Sequence, residues 1–188
     1  MRRAGVLLAG GSSTRMGRDK ARLPCGCVTL IEHQLETLAR LALDSVYISA
    51  RPGGGYEDLG VPVLEDDCPG AGPLAGIAKA LSAGGASWVV VLAVDMPAMT
   101  ADYLGRLLHG CAPGMGCVPQ NGAFYEPLAA VYPQECLGLA QRLLLGRSLA
   151  MQNFVRQGVA ENRLQSIRVT EAERELFANW NTPDLAGR

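Results

Sequence analysis

Near the start of the chain, Arg15, Lys20 and three small hydroxyls crowd around a glycine pair: Leu7-Leu8-Ala9-Gly10-Gly11-Ser12-Ser13-Thr14-Arg15-Met16-Gly17-Arg18-Asp19-Lys20. Glycine lets a ligand come close to the main chain. Backbone N–H groups exposed in such a turn, with Arg15 and Lys20 beside them, form a receptor for phosphate oxygens. Further along, Asp95 follows the apolar run 88–94 and precedes Met96-Pro97, while Asp66 lies in the acidic triplet after residues 61–64. Mg²⁺ is typically held by one or two carboxylates, with substrate phosphates completing its shell. Asp95 is therefore the expected metal ligand, and Asp66 a candidate to assist the metal or a ribose. Turn capping is the plainer alternative for both acids, and it weighs more for Asp66. Together these residues suit phosphoryl-group chemistry, in which positioning and charge stabilisation do most of the work. An arginine can grip two phosphate oxygens, whereas a lysine acts as a point charge. Arg15, Lys20 and Asp95 are thus the candidate catalytic residues.

Other chemistries are poorly supported. Gly17 is followed by Arg18-Asp19-Lys20 rather than by the Lys-Ser/Thr of a Walker loop, and no Gly-x-Gly-x-x-Gly occurs. His33 and His109 both fall in helical patterns, which argues against a Ser-His-Asp or Cys-His arrangement. The six cysteines have no framework or zinc spacing and read as reduced thiols; Cys25-Gly26-Cys27 is too tight for a Cys-x-x-Cys pair. A net charge of −1 and 5% aromatic residues do not suit a nucleic-acid partner. The apolar run after Met1-Arg2-Arg3 breaks at Gly10-Gly11, short of a signal peptide, and residues 88–94 are too few to span a bilayer. A cytoplasmic location with no membrane partner is expected.

The elements that must position these residues follow from periodicity. The apolar stretch 6–9 belongs to an expected first strand that ends at the glycine pair. Thr29 with Glu32 has the capping-box spacing, and Leu30, Ile31, Leu35, Leu38 and Leu41 recur on one face, so a helix is expected over 29–42. Strands are expected at 45–49 and 61–64, then a helix carrying Leu74, Ile77, Ala78 and Leu81. The continuous run 88–94 reads as a strand covered on both faces. Thr100 should cap a helix to about 108. Beyond Gly110 the spacing suggests two strands, 116–119 and 126–132, joined by a turn at Asn121-Gly122. Helices should follow from Pro133 and from Ser148, then a strand at 163–169, a capping box at Thr170–Glu173 and a short helix opened by Thr182-Pro183. The alternation argues for an α/β fold, a mostly parallel sheet with helices on both faces. No linker is evident, so 1–188 reads as one domain with a nucleotide-binding half, 1–110, and a second-substrate half, 111–188. In open parallel sheets ligands bind beyond the strands' carboxyl ends, where strand order reverses. A strand order of 3-2-1-4 would set the glycine loop facing Asp95.

The loop resembles that of the nucleotidyltransferase superfamily, L-A-G-G-x-S-x-R-M-G-x-D-K. With Val63-Leu64-Glu65-Asp66, Gly72-Pro73-Leu74-Ala75-Gly76, Asp95-Met96-Pro97, Glu126-Pro127-Leu128 and Asn179-Trp180-Asn181-Thr182-Pro183, the chain is similar nearly end to end to the molybdenum cofactor guanylyltransferases. That resemblance implies a Rossmann-like three-layer sandwich and the 3-2-1-4 order. It also implies GTP and molybdopterin as substrates, Mg²⁺ as cofactor, pyrophosphate as by-product, and transient contact with other cofactor-biosynthesis or acceptor proteins. Carried onto this chain, Leu8, Ala9, Gly10 and Gly11 would meet the nucleotide, with Lys20 on the phosphates, Asp66 a nucleotide contact and Asp95 the magnesium ligand. Gly72, Pro73, Glu126 and Pro127 would line the pterin side. Some relatives have an asparagine near Ile48-Ser49-Ala50-Arg51 that touches the nucleotide; this chain has none, and no contact is assigned there. A pterin cytidylyltransferase, a sugar-phosphate nucleotidyltransferase and a non-catalytic nucleotide-binding module are the alternatives. The Ala9-Gly10-Gly11 and Gly72–Gly76 segments favour guanine over cytosine.

Overall fold

The computed structural model describes residues 1–10, 19–66, 68, 70–83 and 85–180. In chain order its first half comprises β1 (Arg3–Leu8), a 3₁₀ turn (Lys20–Arg22), a small hairpin of β2 (Pro24–Cys25) and β3 (Val28–Thr29), α1 (Leu30–Ala39), β4 (Ser45–Ala50), β5 (Val63–Glu65), α2 (Pro73–Ser82), β6 (Trp88–Ala93) and α3 (Ala101–His109). The second half comprises β7 (Gly116–Asn121), β8 (Phe124–Tyr125), β9 (Ala129–Pro133), α4 (Leu137–Leu145), α5 (Met151–Ala160), β10 (Leu164–Arg168) and a 3₁₀ stretch (Glu171–Phe177).

One sheet runs through both halves in the order β10-β7-β9-β6-β1-β4-β5, with β8 paired to β7. The pairs β1–β4, β1–β6 and β4–β5 are parallel, so the first four main strands follow the 3-2-1-4 order. β9 enters antiparallel between β6 and β7, which leaves β7 running in the direction of β6. The fold is a mostly parallel α/β sheet with helices on both faces. Leu30, Ile31 and Leu38 of α1 and Leu104 and Leu107 of α3 pack with Leu7, Val90 and Leu92 on one face. Leu74, Ile77 and Leu81 of α2, Leu139 of α4 and Phe154 of α5 pack with Val6, Val89 and Val91 on the other. Successive strand residues point to opposite faces. With both faces covered, every residue of β6 must be apolar, and all six are buried.

The caps show where local chemistry decides. Thr29 and Glu32 form the expected capping box, and the Thr100 side chain accepts from the Tyr103 N–H at 3.2 Å. α1 ends at Ala39 rather than near 42. Ser148 does not cap α5: the helix begins at Met151 after Ala150, and the Ser148 hydroxyl instead accepts from Asn153 Nδ2 at 2.8 Å. Pro133 closes β9, and α4 starts four residues later, after a 3₁₀ turn. The turn at Gly122 (φ 61°) joins β7 to the two-residue β8, while residues 126–128 lead into β9 instead of belonging to it. Thr170 and Glu173 form a capping box, but on a 3₁₀ stretch. The terminal helix expected at Thr182-Pro183 lies outside the described residues. Cys25-Gly26-Cys27 is the turn of the β2–β3 hairpin, with Gly26 at φ 63°. Among the described residues no helix is long and apolar enough to cross a membrane.

A close contact between α2 and β4 fixes the floor of the site described below. A Cβ built on Gly76 would lie 2.2 Å from Ser49 Oγ and 3.0 Å from Leu8 Cδ2. Glycine is required there for steric reasons, although it is a poor helix former. Gly76→Ala should destabilise the chain by about 1–3 kcal/mol through overpacking, measured by urea unfolding. Adding Ser49→Ala should recover part of the loss, because the worst clash is with Oγ; strictly additive losses would contradict the contact.

Candidate active site

The carboxyl ends of β1, β4, β5 and β6 open on one side of the sheet into a cavity of about 690 Å³. β1 delivers Leu8, Ala9 and Gly10 to it, and the segment after β6 delivers Val94 and Asp95. Two main-chain bonds fix their relative height: Val94 N–H donates to Leu8 O (3.1 Å), and Ala9 N–H donates to Ser49 O (2.9 Å). Lys20 reaches in from the 3₁₀ turn, and its Nζ lies 3.0 Å from Asp95 Oδ2. The side chains of Lys20 and Asp95 are 17% and 27% exposed, so the pair is half sheltered yet open to a ligand.

Asp95 sits on a moored loop. Gln34 of α1, fully buried, donates from Nε2 to Met96 O at 2.5 Å, and the neighbouring His33 Nε2 donates to Pro97 O at 3.0 Å. From the far end of the chain, Trp180 N–H donates to the Asp95 carbonyl at 2.9 Å. The loop is thus held by its main chain, which leaves the carboxylate for the cavity.

Asp66 forms the opposite wall. Its N–H donates to Ala50 O (3.0 Å), and its Oδ1 accepts from the Ser49 hydroxyl (3.1 Å). The other carboxylate oxygen is 3.3 Å from where a Cβ on Gly10 would stand. Any side chain at Gly10 would therefore crowd the acid and narrow the space between the two walls. Gly72 (φ 66°) and Pro73, at the start of α2, complete this side. Proline suits the first helical position, where its missing N–H leaves no intrahelical bond unmade.

Of the residues expected from the sequence, Leu8, Ala9, Gly10, Lys20, Asp66, Gly72, Pro73 and Asp95 converge on this cavity. Gly11 and Arg15 lie outside the described residues. Glu126 and Pro127 are not brought to the wall. Glu126 Oε1 accepts from Asn121 Nδ2 (3.1 Å) and its N–H donates to Pro119 O (2.9 Å), while Pro127 O accepts from the buried Tyr132 hydroxyl (2.8 Å). The next residue, Leu128, does line the cavity. The segment Ile48–Arg51, given no contact from the sequence, supplies Ser49 and Arg51, followed by Pro52. Applying the carboxyl-end rule to β4 as well as to β1 and β6 would have found them.

Among the described residues no group of three or more His, Cys, Asp or Glu side chains could hold a metal. Asp95 beyond β6 and Asp66 beyond β5 instead match the sparse carboxylate set of a cation whose other ligands come from a substrate's phosphates.

A doubly wound sheet with a lysine–aspartate pair in a cavity beyond the carboxyl ends of its central strands suits a nucleotide-handling enzyme. The family model described as "MobA-like NTP transferase domain" matches residues 5–162, and the chain belongs to that family of nucleotidyltransferases. A protein named "Probable molybdenum cofactor guanylyltransferase" from Opitutus terrae is 42% identical over 184 residues, covering 96% of this chain and 91% of its own. One of the same name from Mycobacterium tuberculosis is 45% identical over 186 residues, covering 95% and 89%. Among solved structures, "Molybdopterin-guanine dinucleotide biosynthesis protein A" from Archaeoglobus fulgidus superposes with a TM-score of 0.75 at 25% identity, covering 97% of this chain and 94% of that one.

Glu126 yields a prediction about pH. Burial raises the pKa of its carboxyl above the ordinary value, partly offset by the bond from Asn121. The folded chain therefore holds this proton more tightly than the unfolded chain, and this contribution to stability falls as pH rises through the carboxylate range. Glu126→Gln should be more stable than the parent at pH 7 and show a flatter pH dependence, as measured by urea unfolding at several pH values. Equal pH dependence in both proteins would refute this.

Proposed function

We propose that the chain transfers GMP from GTP to the phosphate of molybdopterin, giving the guanine dinucleotide form of the pterin and pyrophosphate. The observation that carries this reading is the Lys20–Asp95 pair, 3.0 Å apart in the lining of the cavity that Gly10 also borders. A phosphate oxygen of the pterin attacks the α-phosphorus of GTP. The bond from that phosphorus to the bridging oxygen of the β-phosphate breaks, and pyrophosphate leaves with the electron pair. The attacking group is already an anion, so no base need remove a proton.

Each group has a part in this scheme. The main chain of Leu8–Gly10, with Gly11, faces the base, and Asp66, oriented by Ser49, holds the nucleoside. Lys20 and Arg15 meet the triphosphate, where added positive charge offsets the charge that develops on its oxygens. Mg²⁺, when bound, would be held by Asp95 with phosphate oxygens and would supply further charge neutralisation. Gly72 and Pro73 face the pterin. The relatives' names and the Ala9-Gly10-Gly11 and Gly72–Gly76 segments support guanine as the base.

The test has two arms. A ligand that binds only the folded state raises apparent stability, by about 2.7 kcal/mol at a hundredfold excess over Kd. Among the nucleoside triphosphates with Mg²⁺, GTP should give the largest thermal shift; a shift with CTP and none with GTP would overturn the base assignment. In a pyrophosphate-release assay with GTP, Mg²⁺ and molybdopterin, Asp95→Ala should abolish turnover, and Lys20→Ala should cost about 2–4 kcal/mol of transition-state stabilisation. Unchanged release by Asp95→Ala would remove that residue from the reaction.

A further inference from the structure

Lys20 belongs to a short turn that the sheet does not hold. The strands bring Leu8 and Asp95 to the same edge, but the turn Lys20–Arg22 lies outside the ladders and is anchored by side chains. Asp19, its cap, accepts from the Ala21 N–H with Oδ1 (3.0 Å) and from the Tyr56 hydroxyl with Oδ2 (2.7 Å). Tyr56 is 3% exposed and belongs to the segment between β4 and β5. Two residues beyond Lys20, Arg22 grips both carboxylate oxygens of Asp58 (2.8 and 2.6 Å), donates to Gly55 O (2.6 Å) and lies 5.5 Å from the centre of the Tyr56 ring. The same segment is tied back to the sheet, because Gly53 N–H donates to Glu65 Oε1 (3.1 Å), next to Asp66. It also begins at the cavity wall, with Arg51 and Pro52.

We propose that Tyr56 and Asp19 are positioning residues for Lys20: the strap between β4 and β5 grips the lysine's turn and so sets how far its ammonium reaches toward Asp95 and a bound triphosphate. This rests on the reading of Lys20 as a phosphate-facing group. Burial, and then the bond to Asp19, raise the pKa of the Tyr56 phenol, so it stays a hydrogen-bond donor over the working pH range. The direction of the bond is thereby fixed, since an ionised carboxylate only accepts. A bond from a neutral donor to a charged acceptor is also stronger than one between neutral groups. The strap would then join the two sides of the site: one end at the Asp66 wall, the middle on the turn that carries Lys20. Arg22 and Asp58 hold the strap against the turn, while the Tyr56 hydroxyl bonds the residue directly before Lys20.

The sequence offers a direct test, because Lys20 and Lys79 are the chain's two lysines. Lys79 lies on α2, away from the strap, and serves as an internal reference. In the full-length protein, brief acetylation by an amine-reactive ester and mass spectrometry give the Lys20:Lys79 labelling ratio. Tyr56→Phe keeps the ring and removes only the hydroxyl; it should raise that ratio at least about threefold with thermal stability near the parent's. Asp19→Asn, at an exposed position, should do the same, and the double variant should add little to either single. In turnover with GTP and molybdopterin, Tyr56→Phe should lower kcat about tenfold while KM for GTP stays within about twofold. Loss of both in proportion to lost stability would mark the contact as merely structural. An unchanged labelling ratio in both single variants overturns the proposal. A raised ratio in the variants, with a parent enzyme that transfers no nucleotide, would uphold the strap and reject the proposed reaction instead.

Discussion

The whole site hangs from one ladder. β1 and β6 are parallel neighbours with Leu8 opposite Ala93, so the chain leaves both strands at the same level and on the same edge of the sheet. That register brings Leu8 and Asp95 to one rim, where Lys20, 75 positions before Asp95, meets its carboxylate from a turn outside the ladder. It is enforced by burial: Val6, Leu7 and residues 89–92 are wholly inaccessible, with helices on both faces. Slipping by one residue would exchange the faces toward which every side chain points, and each helix would then meet the wrong set. Polar side chains are absent from the wholly buried middle of these two strands, and the charged ones of the site lie past their ends. The cavity is where the buried ladder stops.

The second half extends this arrangement with a change of direction. β9 runs antiparallel between β6 and β7, so its start, not its end, lies at the edge that bears the site. The residue just before it, Leu128, reaches the cavity, and its carbonyl accepts from Ala93 N–H at 2.8 Å. Glu126 and Pro127 are spent on the approach to that strand, one bonded to Asn121 and the other to Tyr132. Three adjacent residues in one motif therefore do different work: two build the turn, and the third meets the cavity.

Much of this was legible because it is written locally. A continuous apolar run flanked by breakers identified β6, the hydroxyl-to-glutamate spacing located the start of α1, and an acid just past a buried strand pointed to Asp95. Ser148 misled because a hydroxyl before an apolar run looks like a cap, yet its oxygen was taken by Asn153, a side chain in the helix it was expected to start. Nor could local pattern reveal that β9 would insert between β6 and β7, since pairing depends on a register set by distant strands. Ser49 was hidden for a related reason: in an apolar strand it reads as a tolerated polar residue, and its meaning depends on Asp66 and Gly76, 17 and 27 positions away. The glycine-rich loop named the ligand class through composition, but the strap that grips its far end joins Asp19 to Tyr56, 37 positions on, and no periodicity encodes such a bond.

The bond from Trp180 to the carbonyl of Asp95 has a consequence for how the chain is born. The stretch after β10 returns to the α1 and α3 face, where Phe177 packs edge-on against Tyr103 with ring centroids 5.4 Å apart. It delivers the Trp180 amide to a loop made much earlier. On a ribosome adding roughly 5–20 residues per second, the interval between synthesis of Asp95 and of Trp180 is on the order of ten seconds. Within that time β1, β4, β5 and β6 can all emerge and pair, since each precedes Asp95 in the chain. That rim therefore takes one of its main-chain tethers from a residue made after every strand of the sheet.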